Sequence, residues 1–172
     1  KHTSLFSMGS DAADYNNDGW TDLFTCDMLP TDPRRYALLQ GPPGLDNFMV
    51  AQQHGYGPQF MHNALQTNRS GQGFSDLAFL TGTAKTDWSW SPLFADFDND
   101  GRKDLYVTNG YLRDVNNLDF IMYMGRLRQK ENRGPNFREI ANELPYERLS
   151  NFMYRNTGDL SFQLRTEEWG LN

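Results

Sequence analysis

Two windows of nine residues place oxygen-bearing side chains at the same positions. The first window runs from Asp14 to Asp22 and the second from Asp96 to Asp104. Each has Asp or Asn at positions 1, 3, 5 and 9 and Gly at position 6. Alternate residues of a tightly curled loop point inward, and glycine permits the sharp turn after position 5. Oxygen ligands at this spacing are typical of a loop that wraps a calcium ion.

The expected ligands are the side chains at those four positions and the backbone carbonyl at position 7. They are Asp14, Asn16, Asp18, Asp22 and the carbonyl of Trp20 in the first loop, and Asp96, Asp98, Asp100, Asp104 and the carbonyl of Arg102 in the second. Seven of the 16 Asp residues of the chain fall in these windows. Such crowding of like charges is costly unless a cation offsets it. We therefore expect two Ca²⁺ sites, with tighter binding at the second loop, which has four carboxylates.

A solvated turn rich in Asp and Asn is the alternative interpretation of either loop taken alone. The occurrence of two such loops, each followed by an apolar segment, favours calcium. The loops are not EF-hands, because position 12 is Thr25 in one and Val107 in the other, where that motif has a bidentate Glu. Aromatic and β-branched residues after both loops predict β-strands, and hence a metal site in a β-hairpin.

Composition limits the classes of partner. The chain has 172 residues and a formal charge of −6, which disfavours a nucleic-acid partner. It contains no apolar run long enough for a transmembrane helix. Cys26 is the single cysteine, so no disulfide forms within the chain. The start at Lys1, without Met or a signal peptide, is expected of a mature product or a piece of a longer protein. Calcium favours an extracellular, cell-surface or periplasmic location, since weak sites fill mainly outside the cell.

Four landmarks of the sequence recur at a fixed distance. Residues 63–68 begin and end with Asn and are followed by Phe74 and Gly82, and the same landmarks return 88 residues later, at 151–156, 162 and 170. The acidic loops recur 82 residues apart. Self-similarity of this kind is typical of repeat architectures such as solenoids and propellers.

The strand pattern predicts an all-β fold with helical insertions. Each unit is expected to hold four short antiparallel strands, as in the blade of a β-propeller, and the chain about two blades. The expected division is a half blade with its acidic loop at 1–30, a helical insertion at 31–58, a full blade at 59–112, a second helical insertion at 113–148 and the first half of the next blade at 149–172.

The insertions show helix signals. Asp32 and Pro33 predict a helix start, and Asp46 is expected to cap a second helix that runs through Gln53. Apolar residues at helical spacing from Leu118, and again from Phe137 to Leu144, predict two further helices that lie on the sheets.

The loops D-Y-N-N-D-G-W-T-D-L and D-F-D-N-D-G-R-K-D-L resemble the calcium loops of FG-GAP/VCBS repeats, the blades of integrin-α-like β-propellers. The stretches N-F-M-Y-R-N-T-G-D-L-S-F and T-E-E-W-G-L are similar to segments between such loops in bacterial VCBS-repeat proteins of the cell surface. The resemblance implies a propeller of about seven blades in which calcium braces hairpins, and a role in adhesion or in glycan or protein recognition. Phe-Gly and Gly-Ala-Pro strings are absent, and the chain is too short for a closed ring.

The leading functional hypothesis is a non-catalytic extracellular binding module for a glycan or an envelope protein, associated with the rest of the propeller chain. The alternatives are a fragment of a polysaccharide-degrading propeller enzyme and an architectural subunit of an envelope complex. Trp88 and Trp90 are candidates for stacking on sugar rings, although packing between blades is the favoured interpretation. His2, His54 and His62 lack zinc spacing and are expected to be ordinary polar side chains.

Overall fold

The computed structural model describes residues 3–39, 44–111, 113–131, 134 and 136–171. These residues form ten strands and four helices. In chain order they are β1 (Thr3–Ser4), β2 (Ser10–Ala13), β3 (Asp22–Thr25), α1 (Pro33–Leu38), α2 (Leu45–Gln53), β4 (Gln59–Phe60), β5 (Ala64–Asn68), β6 (Phe74–Asp76), β7 (Ser89–Ala95), β8 (Asp104–Asn109), α3 (Leu118–Glu131), α4 (Phe137–Glu143), β9 (Phe152–Gly158) and β10 (Ser161–Leu164).

The larger strands form two four-stranded antiparallel sheets. The first sheet has the order β2-β3-β5-β6 and the second the order β7-β8-β9-β10, while β1 and β4 pair in parallel beside them. Each sheet begins with a hairpin that contains an acidic loop, continues through two helices and closes with a second hairpin. The fold is therefore mostly β-sheet with a few helices, as the sequence predicted.

The pairing of the strands differs from the expected division into units. The expected full unit at 59–112 is split, because β5 and β6 complete the first sheet whereas β7 and β8 open the second. Segments 31–58 and 113–148 consequently lie between the second and third strands of each sheet, not between sheets. A repeat distance of 88 or 82 residues is the same wherever the unit is taken to begin, so the period alone does not place its boundary.

An aromatic core joins the two sheets. Tyr15 lies between Phe162 and Phe94, with ring centroids 5.7 and 6.2 Å away, and Phe24 meets Phe94 edge to face at 6.1 Å. Leu65 and other fully buried side chains fill the same layer. Pairs of this geometry add about 0.5–1.5 kcal/mol to what their burial contributes. The core fixes the two acidic loops relative to each other, since Tyr15 belongs to the first loop.

The first strands of the two sheets approach closely at the backbone. Phe94 N donates to Asp11 Oδ2 over 2.7 Å, which ties β7 to β2. A Cβ atom on Gly9 would lie 2.2 Å from the carbonyl oxygen of Trp90. Glycine is therefore required at position 9, because any side chain would push the two sheets apart.

The helical insertions begin largely where the sequence predicts. Asp32 caps α1, with Pro33 at its first turn, and the side chain of Asn136 caps α4 in a capping box with Glu139. The expected cap at Asp46 is wrong, because the residue that caps α2 lies two positions earlier, at Gly44, and Asp46 lies in the first turn of the helix. There the carboxylate favours the helix through its dipole instead of through a capping hydrogen bond.

The expected apolar faces of α3 and α4 lie largely in solvent. Met122 is 54% exposed and Phe137 is 84% exposed, whereas Leu127 and Leu144 are buried. Helical periodicity identified the helices but not the side that packs, since that side depends on neighbours distant in the sequence.

A buried arginine connects the two insertions. Arg35 of α1 donates to Asp87 over 2.6 Å and forms a second ion pair with Asp114, and all three side chains are nearly buried. An isolated antiparallel β-bridge between Leu39 and Asn117 also connects the two insertions. A guanidinium removed from water is tolerated when carboxylates on both sides satisfy it, so Arg35 holds the insertions together.

His62 is a second buried charged group, and here the expectation of an ordinary polar side chain is wrong. It is 2% exposed, its Nε2 atom lies 2.6 Å from Asp76 Oδ2, and its Nδ1 atom lies 2.9 Å from the carbonyl oxygen of Phe60. Both ring nitrogens therefore face acceptors, which favours the doubly protonated ring. The hydrogen bond to Asp76 is the main reason that the pKa of His62 is raised above its ordinary value of 6.5, against the opposing effect of burial.

The pair predicts a pH-dependent stability. A raised folded-state pKa means that the stabilisation by His62 is fully present below pH 6.5 and is lost as pH rises through the folded-state value. We expect His62→Gln to lower the free energy of unfolding by about 2 kcal/mol at pH 6 and by less at pH 9. Urea denaturation across this range measures the effect.

His54→Gln is the matched control, because His54 is exposed and its replacement is expected to leave the pH profile of the parent unchanged. A His62→Gln profile with the same slope as the parent would show that the pair is not charged.

Candidate metal centre

Both acidic loops adopt the same backbone conformation. Position 4 is left-handed in each, with φ of 58° at Asn17 and at Asn99, and position 6 has φ of 87° at Gly19 and at Gly101. Among the residues that the structure describes, and apart from the two adjacent residues, no atom lies within 4 Å of a Cβ built on either glycine. The glycines are therefore required by their φ angle and not by crowding.

The first carboxylate of each loop organises the turn through backbone amides. Asp14 accepts from Asp18 N at 3.0 Å and from Gly19 N at 2.8 Å. Asp96 accepts from the equivalent amides, Asp100 N and Gly101 N, at 3.0 and 2.9 Å. Positions 3 and 5 repeat as well: Asn16 and Asp98 accept from the position-5 amide, and Asp18 and Asp100 accept from the position-7 amide.

The carboxylate at position 9 anchors each loop to its sheet. Asp22 and Asp104 are fully buried. Asp22 accepts from Tyr15 N at 3.2 Å and from Asn68 N at 2.8 Å. Asp104 accepts from Phe97 N at 3.1 Å and from Asn156 N at 2.8 Å. Each carboxylate thus ties position 2 of its loop to the third strand of the same sheet.

Burial makes these two carboxylates costly without a cation. It is the main reason that the pKa values of Asp22 and Asp104 are raised, and the neighbouring loop carboxylates raise them further, although the backbone hydrogen bonds act in the opposite direction. A bound cation would favour the ionised forms by reversing the effect of the neighbouring charges.

The second loop brings three carboxylates together. Asp96, Asp98 and Asp104 each offer an oxygen atom, and these atoms lie within 4.8 Å of one another. The cluster can hold a metal ion, and its purely oxygen character suits a hard cation. The carboxylate of Asp100, the fourth expected ligand, is turned toward two guanidinium groups, those of Arg102 at 3.1 Å and Arg155 at 3.2 Å.

Arg155 also lies against the acidic cluster itself. Its Nε atom is 2.6 Å from Asp98 Oδ2. No sequence pattern predicted this contact, because Arg155 is 57 residues away from Asp98 and the equivalent position in the first sheet is Thr67. Thr67 is buried and its hydroxyl hydrogen-bonds to that of Tyr15. The two acidic loops therefore share a backbone conformation but differ in their charged surroundings.

Asn156 connects the two loops. It is buried, and its Nδ2 atom donates to the carbonyl oxygens of Tyr15 at 2.7 Å and Lys103 at 3.0 Å. Asn17 Nδ2 donates across the same interface to the Gly101 carbonyl at 3.1 Å. A cavity of about 290 Å³, lined by Asn16, Asp18 and Arg102 among others, lies between the loops. The loops are thus neighbours on one edge of the molecule.

The two candidate tryptophans differ in exposure. Both indole rings lie against Tyr111, at centroid distances of 4.3 Å for Trp88 and 6.2 Å for Trp90. Trp88 is 8% exposed and Trp90 is 42% exposed. Burial removes Trp88 as an exposed stacking platform and agrees with the packing interpretation, whereas Trp90 retains an accessible surface.

Comparison with known proteins gives one match. Residues 44–107 match the family model of the FG-GAP-like repeat, a range that includes the second acidic loop and the strands on both sides of it. The curated proteins and the solved structures gave no match. Within the described residues, no helix combines the length and the apolar character needed to cross a lipid bilayer.

The bridging role of Asn156 generates a prediction. We expect Asn156→Ala to lower the free energy of unfolding by about 2–3 kcal/mol, because the carbonyl groups of Tyr15 and Lys103, one in each loop, lose their donor and the first of these bonds is buried. The equivalent variant in the first sheet, Asn68→Ala, should cost about 1 kcal/mol less, since Asn68 Nδ2 donates one bond, to the Thr21 carbonyl at 3.2 Å, where Asn156 Nδ2 donates two. The Oδ1 atoms of both residues accept one backbone amide each.

Urea denaturation of both variants makes the comparison. If Asn156→Ala and Asn68→Ala lower the free energy of unfolding equally, the result would contradict a connection between the loops through Asn156.

Proposed function

We propose that the chain is a calcium-binding part of an extracellular β-propeller, because residues 44–107 match the family model of the FG-GAP-like repeat. Each four-stranded sheet corresponds to one blade. The two sheets pack face to face through the aromatic core, as neighbouring blades do in a propeller. The remaining blades would come from the rest of the propeller chain.

The repeated geometry of the acidic loops is the observation that supports calcium. The ligands would be Asp14, Asn16, Asp18 and Asp22 with the Trp20 carbonyl, and Asp96, Asp98, Asp100 and Asp104 with the Arg102 carbonyl. When bound, the ion supplies positive charge that offsets the repulsion among these carboxylates. Backbone amides already hold the position-1 and position-9 carboxylates in place, so little ordering is needed for binding.

The role proposed for the ion is structural. Asp22 and Asp104 each join a loop to the third strand of a sheet. A cation on such a carboxylate stabilises the first hairpin and its connection to the second one. Calcium concentrations that fill such loops occur mainly outside the cytosol, which is why we place the protein outside the cell, on its surface or in the periplasm.

The activity proposed is recognition of a glycan or of an envelope protein, without catalysis. A hydrolase would need acidic side chains. Those of the loops are held at fixed positions by hydrogen bonds from backbone amides. Trp90 is an accessible aromatic side chain beside Tyr111, and aromatic faces stack well on sugar rings. Trp90 replaces Trp88 as the preferred candidate for contact with a ligand.

Metal removal tests the structural role. At a free calcium concentration of 100 times the dissociation constant, one site contributes about 2.7 kcal/mol, and a domain of this size gains about 2–4 °C per kcal/mol. We expect the melting temperature to rise by about 5–10 °C for each site that calcium fills, relative to EDTA, as measured by differential scanning calorimetry. Magnesium at the same concentration is the control, and it should raise the melting temperature less than calcium does. Identical melting in calcium and EDTA would refute a structural calcium.

A polysaccharide screen tests recognition against hydrolysis. The parent chain is expected to be retained on an immobilised glycan without releasing reducing ends, and Trp90→Ala should weaken retention about two- to tenfold. Tyr56→Ala, which removes an aromatic side chain that is 65% exposed, is the matched control and should bind as the parent does. Release of reducing ends would favour the enzymatic alternative. Retention unaffected by Trp90→Ala would exclude this residue from the recognition surface.

A further inference from the structure

Arg155 occupies the position of a cation at the second loop. Its guanidinium group donates through Nε to Asp98 Oδ2 at 2.6 Å and through Nη2 to Asp100 Oδ2 at 3.2 Å. The other oxygen of each carboxylate accepts a backbone amide of the loop. The oxygens that Arg155 contacts are therefore those that the loop does not use for its own conformation.

The first loop has no such internal cation. Within the described part of the chain, no ion pair reaches Asp14, Asp18 or Asp22, and position 155 corresponds to the neutral Thr67. The first loop has three carboxylates without a protein counter-charge. The second has four carboxylates, two of which pair with Arg155 and one of these also with Arg102.

A metal ion and Arg155 draw on the same carboxylate. Asp98 is one of the three residues of the acidic cluster, and its Oδ2 atom accepts the hydrogen bond from Arg155 Nε, while its Oδ1 atom accepts a backbone amide of the loop. A metal ligated by Oδ2 must displace the guanidinium group, and the loss of this charge-assisted hydrogen bond subtracts from the binding free energy. Arg155 is partly exposed, with 39% of its side-chain surface accessible, so it can move into solvent when it is displaced.

We propose that Arg155 is a built-in competitor for calcium at the second loop, which keeps that loop folded without metal and lowers its affinity below that of the first. This inference rests on the proposed function, since it concerns the same two sites. It reverses the order of affinities expected from counting carboxylates. As calcium rises, the first loop fills first, and the second loop fills later with release of the Arg155 side chain.

Isothermal titration of the full chain with calcium, in the parent and in Arg155→Met, tests the proposal. We expect two classes of site in the parent, and a three- to tenfold tightening of the weaker class in the variant, since a partly exposed pair of this kind contributes up to about one factor of ten. The affinity of the stronger class should not change. In EDTA, the variant should melt below the parent, because Asp98 and Asp100 have lost the guanidinium group of Arg155 as a counter-charge.

Terbium in place of calcium assigns the sites. Trp20 lies in the first loop, so terbium luminescence excited through tryptophan should saturate early in the titration, and Trp20→Phe should abolish that early signal. Arg155→Gln is a second variant without the charge and should tighten the weaker class as Arg155→Met does. Arg165→Met is the control, since Arg165 follows β10 and pairs with Glu168 instead of with the loop; it should leave both affinities as in the parent.

The outcomes separate the two claims. If the parent binds no calcium, the proposed function fails together with this inference. If the parent binds calcium at two sites and neither Arg155→Met nor Arg155→Gln tightens the weaker one, the inference alone fails. A weaker second site in both variants would also overturn it, because Arg155 would then shape the cage instead of competing with its ion.

Discussion

The structure depends on a carboxylate that is buried at the end of each acidic loop. Asp22 and Asp104 start the second strand of their sheets, lie beyond the reach of solvent and accept amides from two directions. An ionised carboxylate in such a place is costly unless hydrogen bonds and a positive charge compensate it. The backbone amides supply the hydrogen bonds. The remaining carboxylate oxygens of the loop lie close together, where a bound cation would supply the positive charge. The turn, the hairpin and the third strand are all joined at this one group.

Packing between the sheets extends this local arrangement to the whole chain. Tyr15 is both position 2 of the first loop and a central member of the aromatic core, so the core and the loop cannot change independently. Asn156 donates to the backbone of both loops from the second sheet. Because interfaces of this kind are closely packed, a conformational change in one loop is expected to alter the other loop.

Local features of the fold were predictable from the sequence. The strands after each loop, the helix start at Asp32 and the turn at each loop glycine follow from residue types a few positions apart. The grouping of the strands into two sheets was not predictable from the sequence, because a repeat distance does not identify where a unit begins. The partners of His62 and Arg155 were also not predictable, since Asp76 and Asp98 lie 14 and 57 residues away from them. The difference in burial between Trp88 and Trp90 was not predictable either, because it depends on the packing around Tyr111.

The central claim is that both loops are oxygen cages for a calcium ion. Crystals of the chain grown in millimolar calcium and measured for anomalous scattering test it most directly. The account predicts one peak in each loop, with carboxylate oxygens of Asp22 or Asp104 and their neighbours at about 2.3–2.6 Å from the ion, and with the Arg155 guanidinium group displaced from Asp98. Loops that keep the same backbone without an anomalous peak would contradict it.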